Sequence, residues 1–146
     1  ELDISLNEIT PIGAGYIADI LPRTGVKSLN IGKNFLGDEA LKHFADKMVE
    51  FIEISRISKL DFSSSRVGDE GILYFLQELK EYPNLTSLRV NDNFISEKIE
   101  KMLVELLEDN KHLLEFNIKG NRISLSSLSR IKKILKRNQK EFDERE

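Results

Sequence analysis

The stretch "LTSLRVNDNFIS", residues 85–96, is the clearest indication of this protein's architecture. Its apolar residues Leu85, Leu88 and Val90 follow the spacing of a half-buried strand, and Asn93 then falls where a further core-facing residue is expected. An asparagine side chain carries donors and an acceptor, so it can pair backbone groups that are costly to bury unpaired. The stretch therefore predicts a strand that ends in a turn held by Asn93.

The same pattern recurs along the chain. The related segments read "LDISLNEIT" from Leu2, "VKSLNIGKNFLG" from Val26, "ISKLDFSSSRVG" from Ile57 and "LLEFNIKGNRIS" from Leu113. The anchor positions of the five segments are Asn7, Asn34, Ser65, Asn93 and Asn121, which lie 27, 31, 28 and 28 residues apart. Self-similarity at such a period is the signature of a repeat stack, in which each unit buries its apolar face only against its neighbours.

Each unit continues with residues at helical spacing. In the second unit these are Ala40, Leu41, Phe44 and Met48. The segments "GDEA" and "GDEG", at residues 37–40 and 68–71, place acidic residues in the first helical turn, where the helix dipole favours negative charge. The spacing from Asn34 to Ser65 is the longest of the four. Its additional residues fall around "EFIEISRIS", where we expect a longer helix or loop.

The repeated pattern resembles the leucine-rich repeat family. The family pattern LxxLxLxxNxI is matched in the fourth unit by Leu85, Leu88, Val90, Asn93 and Ile95. A period near 28 with a helical second half is similar to the ribonuclease-inhibitor subtype. This resemblance implies an α/β solenoid in the form of a horseshoe arc, with parallel strands on its concave face and helices on its convex face. The repeats are expected over residues 1–123.

Residues 124–146 are expected to form a C-terminal capping helix and tail. The predicted apolar set of this helix is Leu125, Leu128, Ile131, Leu135 and Phe142. Its cations form a further set at near-helical spacing, namely Arg130, Lys133, Arg137 and Lys140, with Lys132 and Lys136 beside them. This set is interpreted either as a docking stripe for an acidic partner or as a solvated helix face. The strand-like start of the sequence, in contrast, predicts that it is the C-terminal part of a longer protein.

The asparagines of the anchor positions are predicted to be structural. Those of four units, Asn7, Asn34, Asn93 and Asn121, form a ladder that bonds successive turns. Ser65 interrupts this ladder, because its shorter side chain bonds only locally, and we expect a local weakening of about 1 kcal/mol.

The candidate partner-binding residues lie on the strand face, which we define as the outward-pointing residues of the strands. They are Asp61, Arg89, Asn91, Asn117 and Lys119. Arginine is frequent among binding hot spots, which singles out Arg89. The alternative is that Asp61 and Arg89 pair with each other across neighbouring strands.

The residues directly after the anchors form a second surface, the loop rim. They are Glu8, Phe35, Arg66, Phe94 and Arg122. Phe35 and Phe94 are expected in the core, and Arg66 is expected to be a solvated loop residue. Ran GTPase-activating proteins have the same repeat subtype and use a loop arginine near the nucleotide of the partner GTPase, which makes Arg66 the residue of an enzymatic alternative. The acidic tail of that family is absent here.

Composition excludes several other functions. The 146 residues contain no cysteine and have a net charge of −3, so there is no thiolate site and no positive balance for binding a phosphate backbone. His43 and His112 lie in unrelated units without a catalytic constellation, and no phosphate-loop or metal motif occurs. No cofactor, metal, nucleic acid or membrane span is expected.

The sequence thus predicts a non-enzymatic, intracellular protein-interaction module or scaffold that uses the strand face and the loop rim. The expected location is the cytoplasm, or a host cytosol if the protein is a bacterial effector, and the partner is another protein. Two alternatives stay open: a GTPase-activating protein of the Ran-activator type, or a cytoskeletal element that resembles the tropomodulin-like caps of actin filaments.

Overall fold

Five short strands, one from each unit, form a single parallel sheet in chain order. The computed structural model describes residues 1–145. The strands are β1 (Leu2–Asp3), β2 (Ser28–Asn30), β3 (Lys59–Asp61), β4 (Ser87–Arg89) and β5 (Glu115–Asn117), and the α-helices are α1 (Pro11–Ile20), α2 (Gly37–Glu50), α3 (Asp69–Glu78), α4 (Glu100–Asp109) and α5 (Leu125–Arg145). Short 3-10 helices span Leu21–Arg23, Leu79–Glu81 and Glu97–Ile99. The predicted α/β stack of parallel strands and helices is confirmed.

The core lies between the sheet and the helices. The central strand residues Leu29, Leu60, Leu88 and Phe116 are aligned by the strand register and are all buried. Because strands are about 4.8 Å apart and helices about 10 Å wide, the sheet side of such a stack is its concave side.

The extra residues of the longest spacing lie in the connection after α2. α2 has 14 residues, close to the 13 of α1, α3 or α4 taken with its adjoining 3-10 helix, which have 10 and 3 residues. In contrast, residues 51–58, which include a turn at 51–54, form a longer connection than residues 82–86 before β4. The expectation of a longer helix or loop at this place is therefore confirmed.

Asn93 bonds two successive turns. Its Oδ1 accepts hydrogen bonds from the backbone N–H groups of Ser65 and Val67 in the preceding unit, each at 2.9 Å. Its Nδ2 donates to three carbonyl oxygens, those of Phe62, Val90 and Asn91. Asn93 is buried, so these bonds satisfy backbone groups that have little access to water.

The other anchor side chains form related bonds. Asn34 Oδ1 accepts from the N–H groups of Asn7 and Ile9, each at 2.9 Å, and Asn121 Oδ1 accepts from Ile95 N–H at 3.0 Å. The exposed Asn7 donates to the carbonyl oxygens of Ile4 and Ser5. The Ser65 hydroxyl donates to the carbonyl oxygen of Ser63 in its own unit, and within residues 1–145 it bonds nothing in the second unit.

A second set of contacts between units involves the acidic residues near the helix starts. Asp38 accepts from Gly68 N–H at 2.6 Å, and Asp69 accepts from the Ser96 N–H at 2.7 Å and from the Ser96 hydroxyl at 2.6 Å. Glu100 accepts in the same way from Ser124 N–H at 2.6 Å. These carboxylates therefore bind the turn of the following unit, in addition to being placed favourably for their own helix dipole.

The final helix is present, but its apolar set is only partly buried. Leu125 and Phe142, which were among the residues that predicted the helix, are exposed. The buried residues of α5 are Ser127, Ile131, Ile134 and Asn138. Polar side chains lie on this face because they meet polar groups there: Ser127 donates to Glu100, and Asn138 donates to the carbonyl oxygens of Asn110 and Leu113.

Candidate functional site

The strand face is ordered into rows by the parallel register. One row contains Ser28, Lys59, Ser87 and Glu115, and the next contains Asp3, Asn30, Asp61, Arg89 and Asn117. Residues of neighbouring strands in a row lie about 4.8 Å apart, so their side chains interact directly. The row position places Asp61 directly beside Arg89, as the sequence-based pairing assumed.

Most acidic and amide residues of the second row bond their own strand end. The side-chain Oδ1 of Asp61 accepts from Ser63 N–H at 2.8 Å, and that of Asn117 accepts from Lys119 N–H at 3.1 Å. Asp3 and Asn30 form the corresponding bonds to the N–H two residues later. Two candidate partner-binding residues, Asp61 and Asn117, thus have a structural role that the sequence pattern did not indicate.

Arg89 pairs with Glu115 and not with Asp61. Its Nη2 lies 3.2 Å from Glu115 Oε2, and its Nε lies 3.3 Å from Glu115 Oε1. The alternative of an Asp61–Arg89 pair is therefore wrong, because the shorter Asp61 side chain is bonded to Ser63 while the longer Glu115 reaches the guanidinium. The hydrogen bonds from Arg89 and then from the Ser87 hydroxyl lower the pKa of Glu115.

The paired side chains line a shallow cleft. This cleft has a volume of about 620 Å³ and is bounded by charged residues of both signs, among them Lys27, Lys59, Asp61, Arg89 and Glu115. Beyond it, Asn91 accepts from the Ser63 hydroxyl at 2.5 Å, and Lys119 is exposed. The five candidate residues of the strand face therefore share one surface, of which Arg89 and Lys119 are the exposed members.

The aromatic residues of the loop rim are exposed. Phe94 is 70% exposed and Phe35 is 45% exposed, so the expectation that both are core residues is wrong. Each lies between two buried residues, and alternate residues of an extended segment point to opposite sides. For Phe94 the extended segment is documented by a bridge to Gly68, with Phe94 N–H donating to the Val67 carbonyl at 2.8 Å.

Arg66 extends over one of these aromatic rings. Its guanidinium carbon lies 4.7 Å from the centre of the Phe35 ring, in the geometry of a cation–π contact. Arg66 has a positive φ of 63° and is exposed, as expected for a loop residue. Along the loop rim, aromatic and cationic residues alternate in the last four units, as Phe35, Arg66, Phe94 and Arg122.

The cationic set of α5 is divided. Arg130 pairs with Glu108 at 2.6 Å, and Arg137 donates to the Asn110 carbonyl at 3.1 Å, so both contribute to packing of α5 on the preceding unit. The lysines Lys132, Lys133, Lys136 and Lys140 are exposed.

The histidines lie apart, as their sequence positions suggested. His43 Nε2 lies 2.7 Å from Asp19 Oδ1, and this hydrogen bond lowers the pKa of Asp19. Burial lowers the pKa of His112. Over residues 1–145, no group of three or more histidine or acidic side chains is arranged to hold a metal ion. In the same part of the chain, no helix is long and apolar enough to cross a membrane.

Comparison with known proteins agrees with the repeat geometry. A family model described as a leucine-rich repeat matches residues 1–18 and 57–76. These two segments are therefore similar to leucine-rich repeats, and all five units have the same order of strand, turn and helix, as the sequence pattern predicts. A search of curated proteins found no match.

Several solved structures share the fold. The structure of leiomodin-1 actin-binding site 2 is similar with a TM-score of 0.85 and 20% identity, over 98% of this chain and 83% of that one. The tropomodulin C-terminal domain of Caenorhabditis elegans has a TM-score of 0.56 and 15% identity, over 92% of this chain and 96% of that one. An internalin (inlF) of Listeria monocytogenes has a TM-score of 0.50 and 18% identity, over 88% of this chain and 37% of that one. At these identities the likeness concerns the fold alone.

Proposed function

We propose that this protein is a non-enzymatic, cytosolic protein-binding module whose contact surface consists of the strand face and the loop rim. The observation that carries the proposal is the exposure of Phe35 and Phe94 in the loop rim, which follows the charged strand face in the chain. Exposed aromatic side chains next to arginines are typical of the energetic centres of protein interfaces. The mixed charges of the strand face suit a folded protein surface with charges of both signs.

The two surfaces contribute in different ways. Phe94 is an exposed apolar side chain whose burial in an interface is favourable, and we expect that removing this side chain weakens binding most. Arg89 and Glu115 are already paired, so a partner that binds there has to complement both charges at once. Lys119 lies near the end of β5 and extends the positive side of the surface. We therefore expect the loop rim to supply affinity and the strand face to supply specificity.

Actin is the first partner to be tested. The similar leiomodin-1 domain is an actin-binding site of that protein, and its fold covers 98% of this chain. This likeness supports actin as a candidate, and the exposed lysines of α5 offer a complementary surface for an acidic filament.

The experiment compares binding of purified actin monomers and filaments to matched variants. Phe94→Ser removes an exposed apolar side chain from the loop rim, and Met102→Ser removes one of similar exposure, 56%, from α4 on the helix side. We expect Phe94→Ser to weaken binding about tenfold or more and Met102→Ser to leave it unchanged. The double substitution Arg89→Ala with Lys119→Ala tests the strand face in the same assay.

The two parts of the proposal fail separately. If the wild-type protein binds neither form of actin, actin is not the partner. A photo-crosslinking amino acid at position 94, compared with one at position 102, then tests the surface itself in cell extract. Equal crosslinking of proteins at both positions would contradict the loop rim as the contact surface.

A further inference from the structure

The anchor asparagines of the second, fourth and fifth units bond the turn of the unit before them. Each accepts from the backbone N–H of the second residue after the preceding anchor, and these N–H groups are those of Ile9, Val67 and Ile95. Each also donates to the carbonyl of the third residue before that anchor. Asn34 and Asn93 accept from the N–H of the preceding anchor itself as well. The anchor side chain thus completes the hydrogen bonding of the preceding turn.

The serine at the anchor of the third unit does not form these bonds. By the same spacing, the groups that it should bond in the second unit are the N–H of Leu36, the N–H of Asn34 and the carbonyl of Ile31. The Ser65 hydroxyl donates to the Ser63 carbonyl instead. Over residues 1–145, neither of the two N–H groups has a hydrogen-bond acceptor, and the Ile31 carbonyl accepts from Asn34 Nδ2 at 2.8 Å. That carbonyl has a second lone pair.

The two N–H groups lie where water of the bulk solvent does not reach them. Leu36, Asn34 and Ser65 are all buried. On either side, the N–H groups of Lys33 and Gly37 donate to carbonyl oxygens of the third unit at 2.8 Å and 2.9 Å, so the two turns are held together across this place. Buried backbone donors are costly without a partner, and nearly all of them in native proteins have one.

The chemistry of the surrounding groups selects the partner. Two N–H donors, a carbonyl oxygen and a hydroxyl oxygen surround the space that an asparagine side chain, with two more heavy atoms than serine, would fill. An anion would suit the donors but would be repelled by the carbonyl oxygen, and a cation would be repelled by the donors. A water molecule accepts from two donors and donates to two acceptors, and buried waters typically form about three such bonds.

We propose that one buried structural water lies beside Ser65 and completes the turn of the second unit. It accepts from the N–H groups of Leu36 and Asn34. It donates to the carbonyl oxygen of Ile31 and to the hydroxyl oxygen of Ser65. Bonds through an ordered water are nearly as favourable as direct ones. The second and third units are therefore joined by a water where an asparagine amide joins the other units.

The experiment measures magnetic cross-relaxation between water and the backbone amide protons of the nitrogen-15-labelled protein. We expect the amide protons of Leu36 and Asn34 to contact a long-lived water. The N–H groups of Val67 and Ile95 are matched controls, because they hold the position of Leu36 in units where an asparagine is the acceptor. Both are equally buried and should show no contact with water.

Two substitutions at Ser65 identify the source of the signal. The hydroxyl proton of serine exchanges with water and could imitate a bound water, so the contacts should persist in Ser65→Ala. In Ser65→Asn the amide takes the position of the water, and both contacts should be lost. A wild-type protein without contacts at Leu36 and Asn34 would overturn the proposal. Contacts that disappear in Ser65→Ala, or that remain in Ser65→Asn, would do the same.

Discussion

Removal of the Asn93 side chain should destabilise the protein far more than removal of Asn7, although both residues hold the same position in the repeat. Asn93→Ala takes the acceptor away from the N–H groups of Ser65 and Val67, which are buried. A buried backbone donor without a partner costs about 1–3 kcal/mol. The carbonyl of Val90 keeps the hydrogen bond from Asn121 at 3.0 Å, so it adds little to the loss.

The expected loss for Asn93→Ala is therefore about 3 kcal/mol, allowing for some entry of water. The exposed Asn7 donates to two carbonyl oxygens, and one of these, that of Ile4, also accepts from Asn34. Asn7→Ala should thus cost less than about 1 kcal/mol. A small domain has about 5–15 kcal/mol of stability in total, so the difference is readily measured.

The assay is urea unfolding followed by far-ultraviolet circular dichroism, since the protein contains no tryptophan. The difference in unfolding free energy between each variant and the wild type is compared at matched slopes. Asn93→Asp offers a finer test, because its carboxylate can accept the two N–H groups but repels the carbonyl oxygens that the amide contacted. Its stability should be low at neutral pH and should partly recover in acid. Equal losses for Asn93→Ala and Asn7→Ala would refute the assignment of Asn93 to the buried turns.

Three further predictions follow from contacts between units. The hydrogen bond from Ser124 of the next unit lowers the pKa of Glu100 below its usual 4.5. Glu100 therefore stabilises the folded protein at pH values above 4.5, and this stabilisation is lost as the pH falls through the folded pKa. Glu100→Gln should remove this pH dependence in acid unfolding. The hydrogen bond to Asp46 raises the pKa of Tyr74 to about 12, and Asp46→Asn should lower it in an absorbance titration. Gly71→Ala should destabilise by about 1–2 kcal/mol in urea unfolding, because its Cβ would lie 3.0 Å from the Cα of Asp38, which outweighs the helix propensity of alanine.

Each of these predictions has a direct check. Gly15→Ala is the matched control for Gly71→Ala, since its Cβ would meet the His43 ring at an ordinary 3.5 Å, and it should be neutral or stabilising. Equal effects of the two alanines would contradict the close approach at Gly71. Wild-type and Glu100→Gln proteins with parallel acid unfolding curves would contradict the role of Glu100. Unchanged ionisation of Tyr74 in Asp46→Asn would show that the bond is absent in solution.

The predicted fold followed from local pattern alone. The alternation of Leu88 and Val90, the asparagine after them and the helical spacing that follows depend on neighbouring residues in the sequence. A repeat multiplies this evidence, because the same pattern recurs in five units and constrains them together. The longer connection after α2 was predictable for the same reason, since the extra residues were visible as a longer spacing.

The residues of the candidate site were harder to predict. The apolar character of Phe35 and Phe94 suggested that both are core residues. They are exposed because the residues before and after each of them point into the core, so that the phenylalanine between them points outward. The pairing of Arg89 depended on which of two carboxylates was free. Asp61 is next to Arg89 in the register, but its carboxylate accepts a hydrogen bond from Ser63 N–H at the end of its own strand. The carboxylate of Glu115 has no such bond to its own strand and accepts from Arg89.

The sequence by itself determined the repeat, the order of strand and helix in each unit and the location of the turn asparagines, because these depend on short-range spacing. Only the tertiary structure decided which side chains of different units meet. Asp38 bonds Gly68, and Asn138 bonds the carbonyl of Leu113, across 30 and 25 residues of chain. These hydrogen bonds depend on how the stacked units are aligned and on the lengths of the side chains. Each group has several chemically suitable partners within reach, so no single segment of the sequence specifies which bond forms.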